Sequence, residues 1–131
     1  MSVVAGYIES PEGTAALTRA IEEAKSLDLP LVVVNSSRGD ALVDPRYLQP
    51  EGKRALEELL DQSGVAYELR HVIRGNDAAE EVLDAAEETN AALIVIGLRR
   101  RTPVGKLILG STSQRILLQA GCPVLAVKAG G

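Results

Sequence analysis

The segment GLRRRTPVGKLILGSTS, residues 97 to 113, gathers glycines, hydroxyls and cations in a chain whose net charge is −4. Those residue types suit the holding of an anion. Glycine lets backbone N–H groups approach a ligand closely. A helix opening near Ser111 would add unpaired N–H donors and a partial positive charge, which together seat phosphate. Ser111 and Thr112 bring hydroxyl donors, while Arg99, Arg100, Arg101 and Lys106 bring charge. A structural reading stands beside each part: loop arginines are commonly just solvated, and Ser111 with Gln114 fits a capping box. The segment is no Walker A loop, because Gly105-Lys106 is followed by Leu107, and no GxGxxG occurs.

Other candidate chemistry is sparse. His71 is the single histidine, which removes triads and metal sites built on two. It falls on the apolar side of an alternating stretch with Tyr67 and Leu69, where a packed, hydrogen-bonded residue is expected. Cys122 is the lone cysteine; it forms no intramolecular disulfide, fits a reducing compartment and reads as a buried thiol. Glu57-Glu58, Glu80-Glu81 and Glu87-Glu88 are adjacent pairs on helices, so their side chains diverge onto solvated faces. Asp40, Asp44 and Arg46 lie in a long irregular stretch that could fold over a ligand. No nucleophile with a general base emerges, and neither catalytic nor metal-ligating residues are assigned.

Composition narrows the partners further. An acidic chain with three Tyr, no Phe and no Trp lacks the basic surface and the stacking platforms of a nucleic-acid binder. No segment reaches the ~20 apolar residues that span a bilayer, and the N-terminus lacks signal-peptide features. The expected location is the cytoplasm.

The elements that must position the 97–113 segment follow from the hydropathy pattern of the 131 residues, read as one domain over 1–131. Val3 to Tyr7 reads as a strand. Ser10-Pro11 marks a helix start, and Leu17, Ala20, Ile21, Ala24 and Leu27 follow at helical spacing. Leu31 to Val34 is a continuous apolar run, as in a strand buried on both faces. Residues 36 to 49 read as a loop, then a helix spans about Pro50 to Ser63 with Gly64 as its left-handed cap. Val65 to Ile73 alternates, the mark of an edge strand with one wet face. A helix from about Asn76 to Thr89, with Asp77 and Glu80 as a capping box, leads to the strand Leu93 to Ile96. After the 97–113 segment a helix runs to Ala120, and Val124 to Val127 closes the chain as a strand.

This β-α-β-α-β-α-β-loop-α-β order requires right-handed crossovers, hence a doubly wound α/β fold with a parallel five-stranded sheet and helices on both faces. The expected strand order is 3-2-1-4-5. It puts a topological switch between the first and fourth strands, where open α/β sheets bind ligands.

The whole chain resembles the universal stress protein family. The resemblance rests on Gly97 through Val127 with its ILLQAGCPVLAV ending, on VVAGYIESPEGTAAL from Val3 to Leu17, and on GNDAAE from Gly75 to Glu80. It implies a Rossmann-like, adenine nucleotide alpha hydrolase-like fold and a homodimer paired through Val124, Leu125, Ala126 and Val127. It also implies a stress-response module that binds ATP or AMP, magnesium accompanying ATP, with at most weak ATPase activity. ATP-binding members carry G-x2-G-x9-G-[ST]; Gly97, Gly110 and Ser111 match, but Arg100 replaces the middle glycine. Its side chain could block the backbone's approach or grip phosphate directly. Phosphate contacts are thus expected from Gly97, Arg99, Arg100, Gly110, Ser111 and Thr112. Base and ribose contacts are expected from Gly6, Tyr7, Ile8, Glu9, Asn35 and Ser36, although Ile8 stands where binding members usually carry an acid. The alternative reading is a nucleotide-independent dimeric interaction protein linked to stress.

Overall fold

A computed structural model of the chain describes residues 1–8, 10–35, 50–71, 77–98 and 110–129. Five strands and four helices alternate: β1 (Ser2–Tyr7), α1 (Pro11–Leu27), β2 (Leu31–Asn35), α2 (Pro50–Ser63), β3 (Tyr67–His71), α3 (Ala78–Glu88), β4 (Ala91–Leu98), α4 (Ser111–Gln119) and β5 (Val124–Lys128). The sheet is parallel throughout, in the order β3-β2-β1-β4-β5. Every strand anticipated from the apolar runs is present, and the switch falls between β1 and β4 as expected.

Burial on the two faces explains which residues sit where. Val3, Ala5, Leu31, Val33 and Val95 point to one face and pack against α1 and α2 through Leu17, Ala20, Leu56 and Leu60. Val4, Val32, Val34, Ile94 and Ile96 point to the other and pack against α3 and α4 through Ala79, Val82, Ala85 and Ile116. The period-two alternation of a strand produces this sorting. With so few aromatics, close packing comes from small residues: Ala16, Ala20, Ala79 and Ala85 are fully buried and let the helices lie near the sheet.

Helix ends are set locally. Ser10 caps α1, its hydroxyl oxygen accepting from the Gly13 N–H at 3.0 Å, with Pro11 inside the first turn. Asp77 caps α3 by accepting from the Ala79 N–H at 2.9 Å. Gly64, at φ 78°, occupies the left-handed region that closes α2 as its sequence position suggested. The alternating strand β3 is an edge, with Glu68 exposed and Leu69 turned to the core. Its Arg70 donates to Glu68 and Glu88 at 2.9 and 2.6 Å.

Candidate functional site

At the carboxyl ends of β1, β2 and β4 the sheet opens into a hollow of about 210 Å³. Its floor is apolar: Gly6, Val34, Val82, Ile96 and Ile116. Its rim carries Ile8, Glu12, Gly97 and Leu98 on one side and Gly110 with Ser111, Thr112 and Ser113 on the other. Small-molecule pockets usually begin at ~300 Å³, so this hollow is smaller than a pocket that encloses a whole ligand.

Sheet register decides which residues reach it. Gly6 aligns with Val34, and with Ile96 these form one row on the α3/α4 face. A Cβ at Gly6 would stand 3.7 Å from both Ile96 and Val82 side chains, so the missing side chain leaves room in the floor. Tyr7 belongs to the alternate row, aligned with Asn35 and, through it, His71. Tyr7 packs against the α1/α2 core, and the Asn35 Nδ2 lies 3.5 Å from His71 Nδ1. Tyr7 and Asn35, two of the residues expected at the base, are therefore not among the residues lining the hollow. The reason is strand alternation: consecutive residues face opposite layers. Val34, the neighbour of Asn35, lines it instead. His71 is the half-buried, hydrogen-bonded residue that its sequence position suggested.

Two glycines seat the start of α1 against the sheet. At Gly97 a Cβ would come within 2.2 Å of the Glu12 carbonyl oxygen, and at Gly13 within 1.7 Å of the Ile8 carbonyl oxygen. No L side chain fits at either close approach. The first role of Gly97 is thus to let β4 pass under the first turn of α1. Glu12 arrives at the rim through that contact. Sequence reading missed it, because nothing in its spacing distinguishes it from the other acidic residues of α1.

The tip of α4 departs from the capping box expected of Ser111 and Gln114. Gly110 is the N-cap, extended at φ −67° and ψ 162°, and there is no side-chain cap hydrogen bond among the described residues. Ser111 is instead the first helical residue and is exposed. Backbone geometry, not the better capping propensity of serine, sets the boundary. The consequence is chemical. The first N–H groups of a helix have no intrahelical partner, and among the described residues no side chain substitutes for one. Ser111, Thr112 and Ser113 are among the residues lining the hollow, which sets the positive end of the α4 dipole beside an apolar floor.

The hollow thus brings together Gly6, Ile8, Gly97, Gly110, Ser111 and Thr112 of the expected set. Glu9, Ser36, Arg99 and Arg100 lie outside the described residues. Among the described residues, no group of three or more His, Cys, Asp or Glu comes together as a metal site. Beneath the rim, Arg115 of α4 donates to the carboxylates of Asp77 and, at 3.5 Å, Glu80. Sequence reading did not foresee this contact.

A parallel sheet in this order, with a hollow at its switch, defines a doubly wound α/β fold of the kind that takes ligands outside the carboxyl ends of its strands. The family model for the universal stress protein family matches residues 1–128, and the chain belongs to that family. A universal stress protein of Mycolicibacterium smegmatis is 48% identical over 129 residues, covering 98% of each chain. The solved structure of a universal stress protein from Archaeoglobus fulgidus superposes with a TM-score of 0.78, at 32% identity over 98% of both chains. A structure of a universal stress protein from the same organism in complex with dAMP gives a TM-score of 0.69, at 26% identity over 98% of both chains.

Proposed function

We propose that this protein is a regulatory module that binds an adenine nucleotide, AMP or ATP, at the β1/β4 switch. The observation that carries the reading is the tip of α4, where no side chain among the described residues caps the first N–H groups and where Ser111 to Ser113 border an apolar hollow. Phosphate sits on the N–H groups of residues 111 to 113, and the base lies toward Gly6, Val34 and Ile96. The dAMP complex of the Archaeoglobus fulgidus relative supports this choice of ligand. Magnesium, where ATP is the ligand, enters with the triphosphate. The stress-linked role and cytoplasmic location are carried over from the family; among the described residues no helix is long and apolar enough to cross a membrane.

The working unit in this proposal is a homodimer joined along β5. That strand is a sheet edge with apolar residues facing both layers: Val124 and Ala126 one way, Leu125 and Val127 the other. The helix leading into it leaves Leu118 76% exposed. Unpaired edges and exposed leucines both favour association.

Titration calorimetry with ATP, AMP and cyclic AMP tests the nucleotide reading. Saturable heat with at least one of them is expected, and none at millimolar ligand would remove it. In that case the second reading, a dimeric interaction protein without nucleotide, takes its place. The replacement of the family's middle glycine by Arg100 favours that second reading.

A further inference from the structure

Arg115 lies one helical turn beyond Ser111 on α4, and its guanidinium reaches across to the first turn of α3. One nitrogen donates to the Asp77 carboxylate. Another lies 3.5 Å from Glu80 Oε1, and Nε lies 3.5 Å from Gln119 Oε1. Asp77 uses its other oxygen to cap α3. The residue after it, Ala78, lines the hollow together with Val82, while Ser111 to Ser113 and Ile116 line it from α4. The clamp therefore joins the two helices that form one wall of the site. It also places a positive charge against two carboxylates that would otherwise stand beside the anion corner.

From this arrangement we propose that Arg115 is a charge-masking residue for the phosphate end of the ligand, an inference that rests on the nucleotide reading above. It neutralises Asp77 and Glu80, whose bare charges would repel a phosphate held on the α4 tip. Side chains on a helix lean toward its N-terminus, which brings a residue at this position of α4 back toward the site. Asp77 and Arg115 are 43% and 34% exposed at their side chains, so the pair contributes little to stability alone. Its effect is expected in ligand preference.

The test uses the full chain, with AMP and adenosine as paired probes. Arg115→Gln should weaken AMP binding about fivefold, the size expected for unmasking charges several ångströms from a phosphate in a wet site. Adenosine, lacking phosphate, should change less than about twofold. Arg115→Lys should keep most of the AMP affinity. Adding Asp77→Asn and Glu80→Gln to Arg115→Gln should restore AMP binding, and the same pair with Arg115 intact should strengthen it. Asn still caps α3, so these variants stay folded. A purely structural clamp would lose AMP and adenosine alike and would not be rescued by removing the acids; that result overturns the proposal. Unchanged AMP binding in Arg115→Gln also overturns it and leaves the nucleotide reading standing. Failure of the unaltered protein to bind AMP overturns both.

Discussion

Gly97 passes so close under Glu12 that a Cβ on it would sit 2.2 Å from the Glu12 carbonyl oxygen. The obstacle is backbone, which no rotamer change can relieve. Gly97→Ala should therefore destabilise the protein by about 2–3 kcal/mol, the upper range for forced overpacking. Urea denaturation would show a lower midpoint with an unchanged slope. Gly121→Ala is the control: a Cβ there meets nothing within 4 Å, and the midpoint should barely move.

Gly110→Asp should separate stability from binding. A Cβ at Gly110 meets nothing within 4 Å, and the extended backbone there suits an N-cap side chain. The new carboxylate would accept from the free N–H groups of α4 and stabilise the fold by roughly 0.5 kcal/mol. It would also occupy the seat assigned to phosphate. AMP affinity should fall at least about tenfold, measured by calorimetry, while the urea midpoint rises. A fall in both would show that the tip serves the fold and not a ligand.

Cys122 packs against the α3/α4 core, and burial pushes its thiol pKa above the ordinary value. Less thiolate is present at any given pH, so iodoacetamide at pH 8 should alkylate it more slowly than free cysteine. Unfolding in guanidinium should restore the ordinary rate. The sign of the linkage follows. Burial favours the neutral thiol, so its contribution to stability is complete below the unfolded thiol's pKa. It fades as pH rises through the higher folded one.

Association along β5 makes a mass prediction. Sedimentation at micromolar protein should give twice the 13.8 kDa chain mass, with slow amide exchange along Val124 to Lys128. A monomer would mean that the edge is managed some other way.

Most of the architecture was legible because burial on two faces leaves long apolar runs. Leu31 to Val34 and Leu93 to Ile96 carry it directly, and the alternation around Leu69 marks the edge. The site was less legible, for three physical reasons. Strand alternation turns Tyr7 and Asn35 away from the hollow although Gly6 and Val34, their immediate neighbours, face it. The cap of α4 depends on where the backbone becomes extended, so Gly110 took the place that propensity gives to Ser111. Arg115 and Asp77 are 38 residues apart, and only the packing of α4 on α3 joins them. The resemblance pointed to Gly97, Gly110 and Ser111, which line the hollow, but not to Glu12, which lines it too.

The central claim is that the α4 tip holds phosphate, and amide resonances read it most directly. Labelled protein titrated with AMP should show its largest chemical-shift changes at Ser111, Thr112 and Ser113, with smaller ones at Gly6 and Gly97. Adenosine should move the Gly6 region and leave the tip nearly still. Saturating AMP that shifts other parts of the molecule while residues 111 to 113 stay put would contradict the account.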